Sequence, residues 1–231
     1  MQTLELNLLD NALDSLNESI SKFKQGKSGS ISAYKFAILH FTHFIELFFK
    51  YFVSKSHPLL IYKNPFSKKI ENQNTISLWE SIQFLRNEGK EIPESLSTDL
   101  EWIKSIRNQI EHFKFTMNIK EVEETLGRLM HSILAFQKTH SHPSETLLNK
   151  IEKENIDILL NLAANYEEAL QKALLEVEEE RKKAFKMARF KEYDQIAWQV
   201  TTCIECKHLT FISDNNSKTG YRCTYCGNVF W

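Results

Sequence analysis

All four cysteines of this 231-residue chain lie in its last thirty residues, as two Cys-x-x-Cys pairs. Cys203 and Cys206 form the first pair, Cys223 and Cys226 form the second, and sixteen residues separate the pairs. This spacing is typical of a tetrahedral zinc site with four thiolate ligands, and such a site has no open position, so it is structural and not catalytic. Fewer than about forty residues cannot build an adequate apolar core, so the metal would hold the segment together. The pattern predicts a zinc ribbon over residues 197–231.

Short β-strands are predicted between the two cysteine pairs, at residues 210–213 and 221–222, and Gly227 suits the tight turn after the second pair. The tail also predicts a mildly basic, aromatic surface, made of Lys207, His208, Arg222, Tyr225 and Trp231. Zinc ribbons bind DNA, RNA or protein, or cap a neighbouring domain. The ribbon alone therefore does not predict a function.

Composition predicts a mainly helical protein, with one main domain and a small appendage. Phenylalanine is abundant at 16 residues, while glycine and proline number only 6 and 4, which favours long helices over a turn-rich β fold. The formal net charge of -1 excludes a global basic field, so any RNA contact must be local. Acidic residues among the first leucines argue against a signal peptide, and four polar residues interrupt the apolar run 36–53, which argues against a membrane span. We expect a cytoplasmic protein.

Apolar residues recur at helical spacing through residues 1–140 and predict five helices, at 4–23, 32–54, 76–87, 95–115 and 118–139. Asn118 with Glu121 resembles a capping box at the start of the fifth. Residues 141–196 predict a long helical connector or stalk, charged towards its end. The chain is thus divided into a helical domain (1–140), a helical connector (141–196) and a zinc ribbon (197–231).

The second predicted helix is apolar around most of its circumference but carries one narrow polar stripe, made of His40, His43, Glu46 and Lys50. The stripe either lines an active-site groove or dimer cleft, or forms an internally satisfied polar seam, or binds a metal through its two histidines and Glu46. Because buried charges need partners, Glu46 is a plausible partner for Arg107 on the fourth helix.

The fourth helix carries the stretch Arg107-Asn108-Gln109-Ile110-Glu111-His112 near its end. On an ideal helix Arg107 falls inside the apolar arc, and His112 falls further round, near the last turn. A guanidinium at the core edge and a nearby imidazole can together clamp a phosphate and move a proton. The competing interpretation is a surface pair between Arg107 and Glu111, with a solvated histidine.

The order of these features resembles the HEPN superfamily, which comprises all-helical domains found in many prokaryotic toxins and RNA-cleaving defence proteins. The resemblance covers residues 1–140, through an apolar second helix with Glu46 and Lys50, followed two helices later by Arg-Asn-x-x-x-His. It implies a HEPN-like helical bundle and a metal-independent endoribonuclease, in which the RNA 2′-hydroxyl attacks the phosphodiester. It also implies a homodimer, a role in toxin–antitoxin systems or antiviral defence, and an antitoxin or regulatory partner.

The same resemblance implies a role for each site residue. His112 would act as general acid or base, and Arg107 would stabilise charge on the phosphoryl oxygens. Asn108 would orient the phosphate or His112, and Glu46 would hold Arg107. Independently of the resemblance, four lysines at and after the end of the second helix either contact RNA phosphates or are simply solvated: Lys55, Lys63, Lys68 and Lys69.

Two other functions stay open at this point. In one, the helical domain is a catalytically silent HEPN-like module for RNA binding or dimerisation, and Arg107 is only part of an ion pair. In the other, the protein is a zinc-ribbon adaptor whose helices are scaffold.

Overall fold

The structure is a computed structural model that describes residues 7–92, 94–112, 116, 118–141, 147–187, 200–214 and 217–229. Within these ranges the chain forms six α-helices and one small antiparallel sheet. The helices are α1 (Leu8–Lys27), α2 (Ile31–Ser56), α3 (Leu78–Asn87), α4 (Glu94–His112), α5 (Ile119–His140) and α6 (Lys153–Met187). The strands are β1 (Phe211–Ser213) and β2 (Tyr221–Cys223), paired in the register Phe211–Cys223, Ile212–Arg222 and Ser213–Tyr221. The mainly helical fold with a small C-terminal sheet is the fold class that the sequence predicted.

Helix starts follow from local side-chain chemistry. Ser77 and Glu80 form a capping box at α3, which the sequence analysis did not find. Asn118 and Glu121 form the predicted capping box at α5, so two backbone N–H groups that a helix start leaves without partners are satisfied. Asn7 caps α1 by accepting from the Asp10 amide at 2.9 Å. The predicted helix start at residue 4 and the predicted end of the fourth helix at residue 115 lie outside the described residues.

The chain divides into two compact units, Met1–Ala163 and Ala164–Trp231, and α6 contributes residues to both. The sequence divided the chain into three segments instead, with a connector between the helical domain and the ribbon. The difference concerns α6, because its first part belongs to the core of the first unit. Its second part packs, within the second unit, with the segment that carries the four cysteines, described over residues 200–214 and 217–229 and called the ribbon from here on.

The core of the first unit is built around α2, which packs against α1, α3, α4 and α5. Five phenylalanines of α2 are fully buried: Phe41, Phe44, Phe48, Phe49 and Phe52. The ring of Phe136 on α5 lies 5.1 Å from the rings of both Phe49 and Phe52. Burying each of these rings stabilises the fold by about 1.5–3 kcal/mol, which explains why α2 is apolar on several sides. By length and composition alone α2 could also cross a membrane, but 67% of its most apolar window is buried inside the protein.

The second unit joins the ribbon to the second part of α6. Tyr166, Ala173 and Val177 are the buried residues of this part of the helix. The Thr224 hydroxyl donates to the Ala173 carbonyl at 3.0 Å, and Arg222 on β2 donates to Glu176 at 2.5 Å. The ribbon is therefore held against the second part of α6 by these hydrogen bonds.

Candidate functional site

The polar stripe of α2 contains a buried cation, Lys50, which is only 5% exposed. Its ammonium donates to Glu46 Oε1 at 2.6 Å and to Thr75 Oγ1 at 2.9 Å. A buried ammonium is tolerated only with such partners. The stripe is thus partly an internally satisfied seam, as one of the three interpretations proposed.

The other oxygen of Glu46 faces α4, where Oε2 lies 3.5 Å from Nη1 of Arg107. Arg107 Nε donates to Glu111 Oε1 at 3.0 Å. The predicted inter-helix pair with Glu46 and the competing surface pair with Glu111 therefore exist together. The Arg107 side chain is 39% exposed, so the guanidinium lies at the edge of the core with one side open to solvent.

His112 ends the described part of α4, and its side chain is 67% exposed. Its Nε2 lies 4.0 Å from Glu111 Oε2, so the same carboxylate contacts both Arg107 and His112. Asn108 is exposed on α4, and its side chain takes part in none of the side-chain hydrogen bonds found among the described residues. Of the four predicted catalytic residues, Glu46 and Arg107 are thus in direct contact, His112 is linked to them through Glu111, and Asn108 lies apart.

His43 is held by a contact that the sequence analysis missed. Its Nδ1 lies 2.9 Å from the hydroxyl of Ser15 on α1, and that hydroxyl donates its proton to the Asn11 carbonyl at 3.0 Å. Both bonds are satisfied when His43 carries its proton on Nδ1, which leaves the Nε2 lone pair available. Although His43 is exposed by surface area, partial desolvation of its imidazole lowers its pKa. The charges of Arg107, His40 and Lys50 lower this pKa further, and Glu46 opposes them. The lowered pKa favours the neutral form of the His43 imidazole.

A second ion pair that the sequence analysis missed joins α4 to α5. Asp99 and Arg128 are 2% and 4% exposed and form a salt bridge, and Ser132 donates to Asp99 Oδ2 at 2.8 Å. The Arg128 guanidinium lies 5.2 Å from the centre of the Trp102 ring. Burial raises the pKa of Asp99, against the opposing effect of Arg128. The sequence contained one signal for the burial of Asp99, because this residue falls between Leu96 and Ile103 on the apolar side of the helix.

The four cysteines converge in the second unit, with all four sulfur atoms within 4.8 Å of one another. Cys203 Sγ lies 3.6 Å from Cys226 Sγ, and Cys206 Sγ lies 3.6 Å from Cys223 Sγ. A metal–sulfur distance of about 2.3 Å in a tetrahedron places sulfur atoms roughly 3.8 Å apart. The donor set and its separations are therefore compatible with one metal ion. Among the described residues no other group of three or more histidine, cysteine or carboxylate side chains converges in this way, so His40, His43 and Glu46 do not form a metal site.

The two cysteine loops have the same backbone design. The Lys207 amide donates to the Cys203 carbonyl at 2.9 Å, and the Gly227 amide donates to the Cys223 carbonyl at 3.0 Å. Lys207 has φ 61° and Gly227 has φ 72°, so both residues following a pair are left-handed. Glycine adopts this conformation freely, as predicted for Gly227, whereas lysine is strained in it.

Further hydrogen bonds reach the Cys223 sulfur. The Thr210 hydroxyl lies 3.1 Å from it, and the Cys226 amide donates to it at 3.4 Å. Hydrogen bonds from the thiols of Cys206 and Cys226 lower the pKa of Cys223, and the hydrogen bond with Cys223 in turn raises the pKa of Cys206.

Most of the basic and aromatic side chains that were predicted to form a surface on the ribbon contact other residues of the second unit. The His208 ring lies 4.7 Å from the Tyr225 ring, and its Nε2 is 3.3 Å from the Tyr166 hydroxyl on α6. Arg222 contacts two carboxylates, Glu176 and Asp214, which raise the pKa of its guanidinium. Trp231 lies outside the described residues. These contacts hold the ribbon together and compete with any nucleic-acid contact by the same side chains.

The first unit thus contains a partly open cluster of Glu46, Arg107, Glu111 and His112, and the second contains four converging cysteines. No family model matches the chain, and no curated protein and no solved structure matches it either.

Proposed function

We propose that the first unit is a HEPN-type, metal-independent endoribonuclease that cleaves RNA through attack of its own 2′-hydroxyl. The observation that carries this proposal is the 3.5 Å contact between Glu46 on α2 and Arg107 on α4. It supports the proposal because it holds a half-exposed guanidinium five residues before an exposed imidazole, His112.

In the proposed reaction Arg107 binds the scissile phosphate. The carboxylates of Glu46 and Glu111 contact Nη1 and Nε, and the guanidinium has five N–H donors, so further donors can reach phosphoryl oxygens. As charge develops on those oxygens, the guanidinium stabilises it.

His112 acts as the general acid or base in this proposal. The 2′-hydroxyl loses its proton, its oxygen bonds to phosphorus, and the bond to the 5′-oxygen breaks as that oxygen gains a proton. The products are a 2′,3′-cyclic phosphate and a 5′-hydroxyl, without water or redox change in this step. A positioned general acid or base contributes about 10²–10⁴-fold to the rate. Asn108, which is exposed beside Arg107, orients the bound phosphate in this proposal.

The four cysteines bind zinc in this proposal and serve the fold of the ribbon, because four sulfur ligands leave no position for a substrate. The wider proposal is a cytoplasmic homodimer acting in a toxin–antitoxin system or in antiviral defence, controlled by an antitoxin or regulatory protein. A reducing compartment agrees with four cysteines clustered as thiols.

The test is cleavage of mixed cellular RNA in excess chelator by the wild type, His112→Ala and Arg107→Ala, with folding checked by circular dichroism. We expect the wild type to produce cyclic-phosphate ends and both variants to lose at least 100-fold in rate. Lys104→Ala, which removes an exposed cation from the same helix, is the matched control and should cut normally. The nuclease proposal would be refuted if the wild type left RNA intact. It would also be refuted if the two site variants cut RNA at the wild-type rate.

An alternative is a catalytically silent RNA-binding or dimerisation module. The 67% exposure of His112 and its 4.0 Å distance from Glu111 favour this alternative, since no closer partner within the described ranges orients the imidazole. Salt-dependent RNA binding without cleavage, unchanged in His112→Ala, is its expected result. In the adaptor alternative, deleting the ribbon abolishes partner capture and leaves the first unit folded.

A further inference from the structure

The loop between α2 and α3 carries the most exposed large apolar side chain among the described residues, Phe66, which is 93% exposed. Burying a phenylalanine is worth about 1.5–3 kcal/mol, and seven of the nine other phenylalanines that the structure describes in the first unit are buried. A single exposed apolar side chain is common on protein surfaces, so Phe66 indicates a ligand only together with the turn that holds it and the charges around it.

The backbone holds Phe66 in this exposed position. The Ser67 amide donates to the Asn64 carbonyl at 3.2 Å, which closes a four-residue turn with Pro65 in its second position. Proline presets the backbone there, and the Asn64 side chain accepts from the Phe66 amide at 3.2 Å. The ring is therefore presented by an ordered turn, so little conformational entropy is lost when a ligand binds.

The same loop is locally basic. Residues 57–77 contain three lysines (Lys63, Lys68 and Lys69) and one glutamate, a balance of +2 in a chain whose net charge is -1. Lys63 is paired with Glu80 at 2.5 Å, while Lys68 and Lys69 are exposed two and three residues after Phe66. An aromatic ring with adjacent exposed cations is the recognition chemistry of single-stranded nucleic acid, in which a base stacks on the ring and phosphates meet lysines.

The base of this loop is connected to the candidate active site. Lys63 and Asn74 are joined by a backbone hydrogen bond of 2.9 Å, and Tyr62 pairs with Thr75 across the loop. Thr75 accepts from Lys50 at 2.9 Å, and Lys50 donates to Glu46, the partner of Arg107. The base of the loop that carries Phe66 is thus joined through Thr75 and Lys50 to Glu46 of the candidate site.

We infer that Phe66 is a stacking platform for an unpaired base, and that Lys68 and Lys69 bind the flanking phosphates, so that the substrate class is single-stranded RNA. The inference rests on the proposed function for its biological meaning, although the binding itself is independent of cleavage. One ring with two lysines suffices for a stacked base, whereas a protein interface or membrane insertion needs a larger apolar patch.

The test measures binding of a fluorescent single-stranded RNA 12-mer, and of the same sequence as a duplex, to full-length His112→Ala protein. In this background Phe66→Ala should weaken single-strand binding about 5- to 140-fold, the range for losing one stacked base. Phe66→Trp should retain it. Lys68→Gln with Lys69→Gln should weaken binding and flatten its dependence on salt. Ile31→Ala, which removes another exposed apolar side chain (74% exposed), is the matched control and should bind normally.

The outcomes separate this inference from the nuclease. If wild type does not cleave RNA but single-strand binding depends on Phe66, the nuclease fails and the inference stands. If wild type cleaves and Phe66→Ala binds single strands unchanged, the nuclease stands and the inference is overturned. Equal affinity for the duplex would also overturn it, as would Phe66-dependent binding to phosphatidylserine vesicles without Phe66-dependent RNA binding, which would assign the loop to membranes.

Discussion

The carboxylate of Glu46 on α2 lies 3.5 Å from the guanidinium of Arg107 on α4, across 61 positions in sequence. Its other oxygen is 2.6 Å from the buried ammonium of Lys50. One carboxylate therefore compensates a buried cation and holds a half-exposed one. Stability and positioning at this site depend on the same side chain.

Replacing Glu46 by glutamine should destabilise the first unit by about 1–3 kcal/mol, because Lys50 is left buried without an anionic partner. Denaturant unfolding measures this change. Adding Lys50→Met should recover most of the loss, since it removes the uncompensated charge. An unchanged unfolding midpoint in Glu46→Gln would contradict the compensating role.

The buried pair of Asp99 and Arg128 should be intolerant of losing either partner alone. Arg128→Met leaves the Asp99 carboxylate buried without its cation, and we expect a loss of about 3–5 kcal/mol in unfolding free energy. The double variant Asp99→Leu/Arg128→Met should recover a large part of it. Additive losses in this double-mutant cycle would show that the two side chains do not act as a pair.

Acid should destabilise the first unit partly through His43. Its pKa is lowered in the folded protein from the ordinary value of 6.5, chiefly by burial, so the unfolded chain binds more protons in this range. The contribution is fully present above about pH 6.5 and is lost as the pH falls through the folded pKa. Unfolding free energies measured between pH 7.5 and 5 should fall less steeply for His43→Gln than for the wild type. His112→Gln corrects for the loss of one histidine, and an equal slope in all three proteins would contradict the prediction.

The four-cysteine cluster should bind one zinc ion per chain and lose its fold with it. Native mass spectrometry should show one bound zinc, and Co²⁺ substitution should give the absorption of tetrahedral thiolate coordination. Chelator should expose all four thiols to a thiol reagent, while the helical signal of the first unit persists. The Cys206→Ser variant should lose its zinc to the chelator far more readily than the wild type does. Four reactive thiols before chelation would argue against a metal centre.

The strained residue of the first cysteine loop offers a small, signed test. Lys207→Gly should slow zinc release to a chelator and stabilise the ribbon by up to about 1 kcal/mol, because glycine adopts φ 61° without penalty. Gly227→Ala at the matching position should have the opposite effect. If both changes shift zinc release in the same direction, backbone strain is not the controlling factor.

The features that the sequence predicted well depend on near neighbours. Helical periodicity located α2 to within two residues at either end, the Asn118–Glu121 capping box was identified, and the cysteine spacing predicted that the four thiols converge. Each of these signals is carried by residues within a few turns of one another, so it can be read without knowing how the chain packs.

The contacts that the sequence did not predict join distant segments. Ser15 contacts His43 across 28 positions, and Asp99 contacts Arg128 across 29. The position of Asp99 on the apolar side of α4 indicates burial, but no local pattern identifies its partner. The sequence predicted that His208 and Tyr225 of the ribbon form an open surface, whereas in the structure Tyr166 of α6 packs beside both.

By itself, the sequence determined which segments are helical, which face of each is apolar, and that four thiols would share one site. Only the tertiary structure decided that Arg107 contacts Glu46 and Glu111 together, that Phe66 stands in solvent on an ordered turn, and that α6 completes the ribbon. The physical reason is range: backbone hydrogen bonds and side-chain periodicity act over a few residues, whereas the pairing of buried charges depends on how whole helices pack.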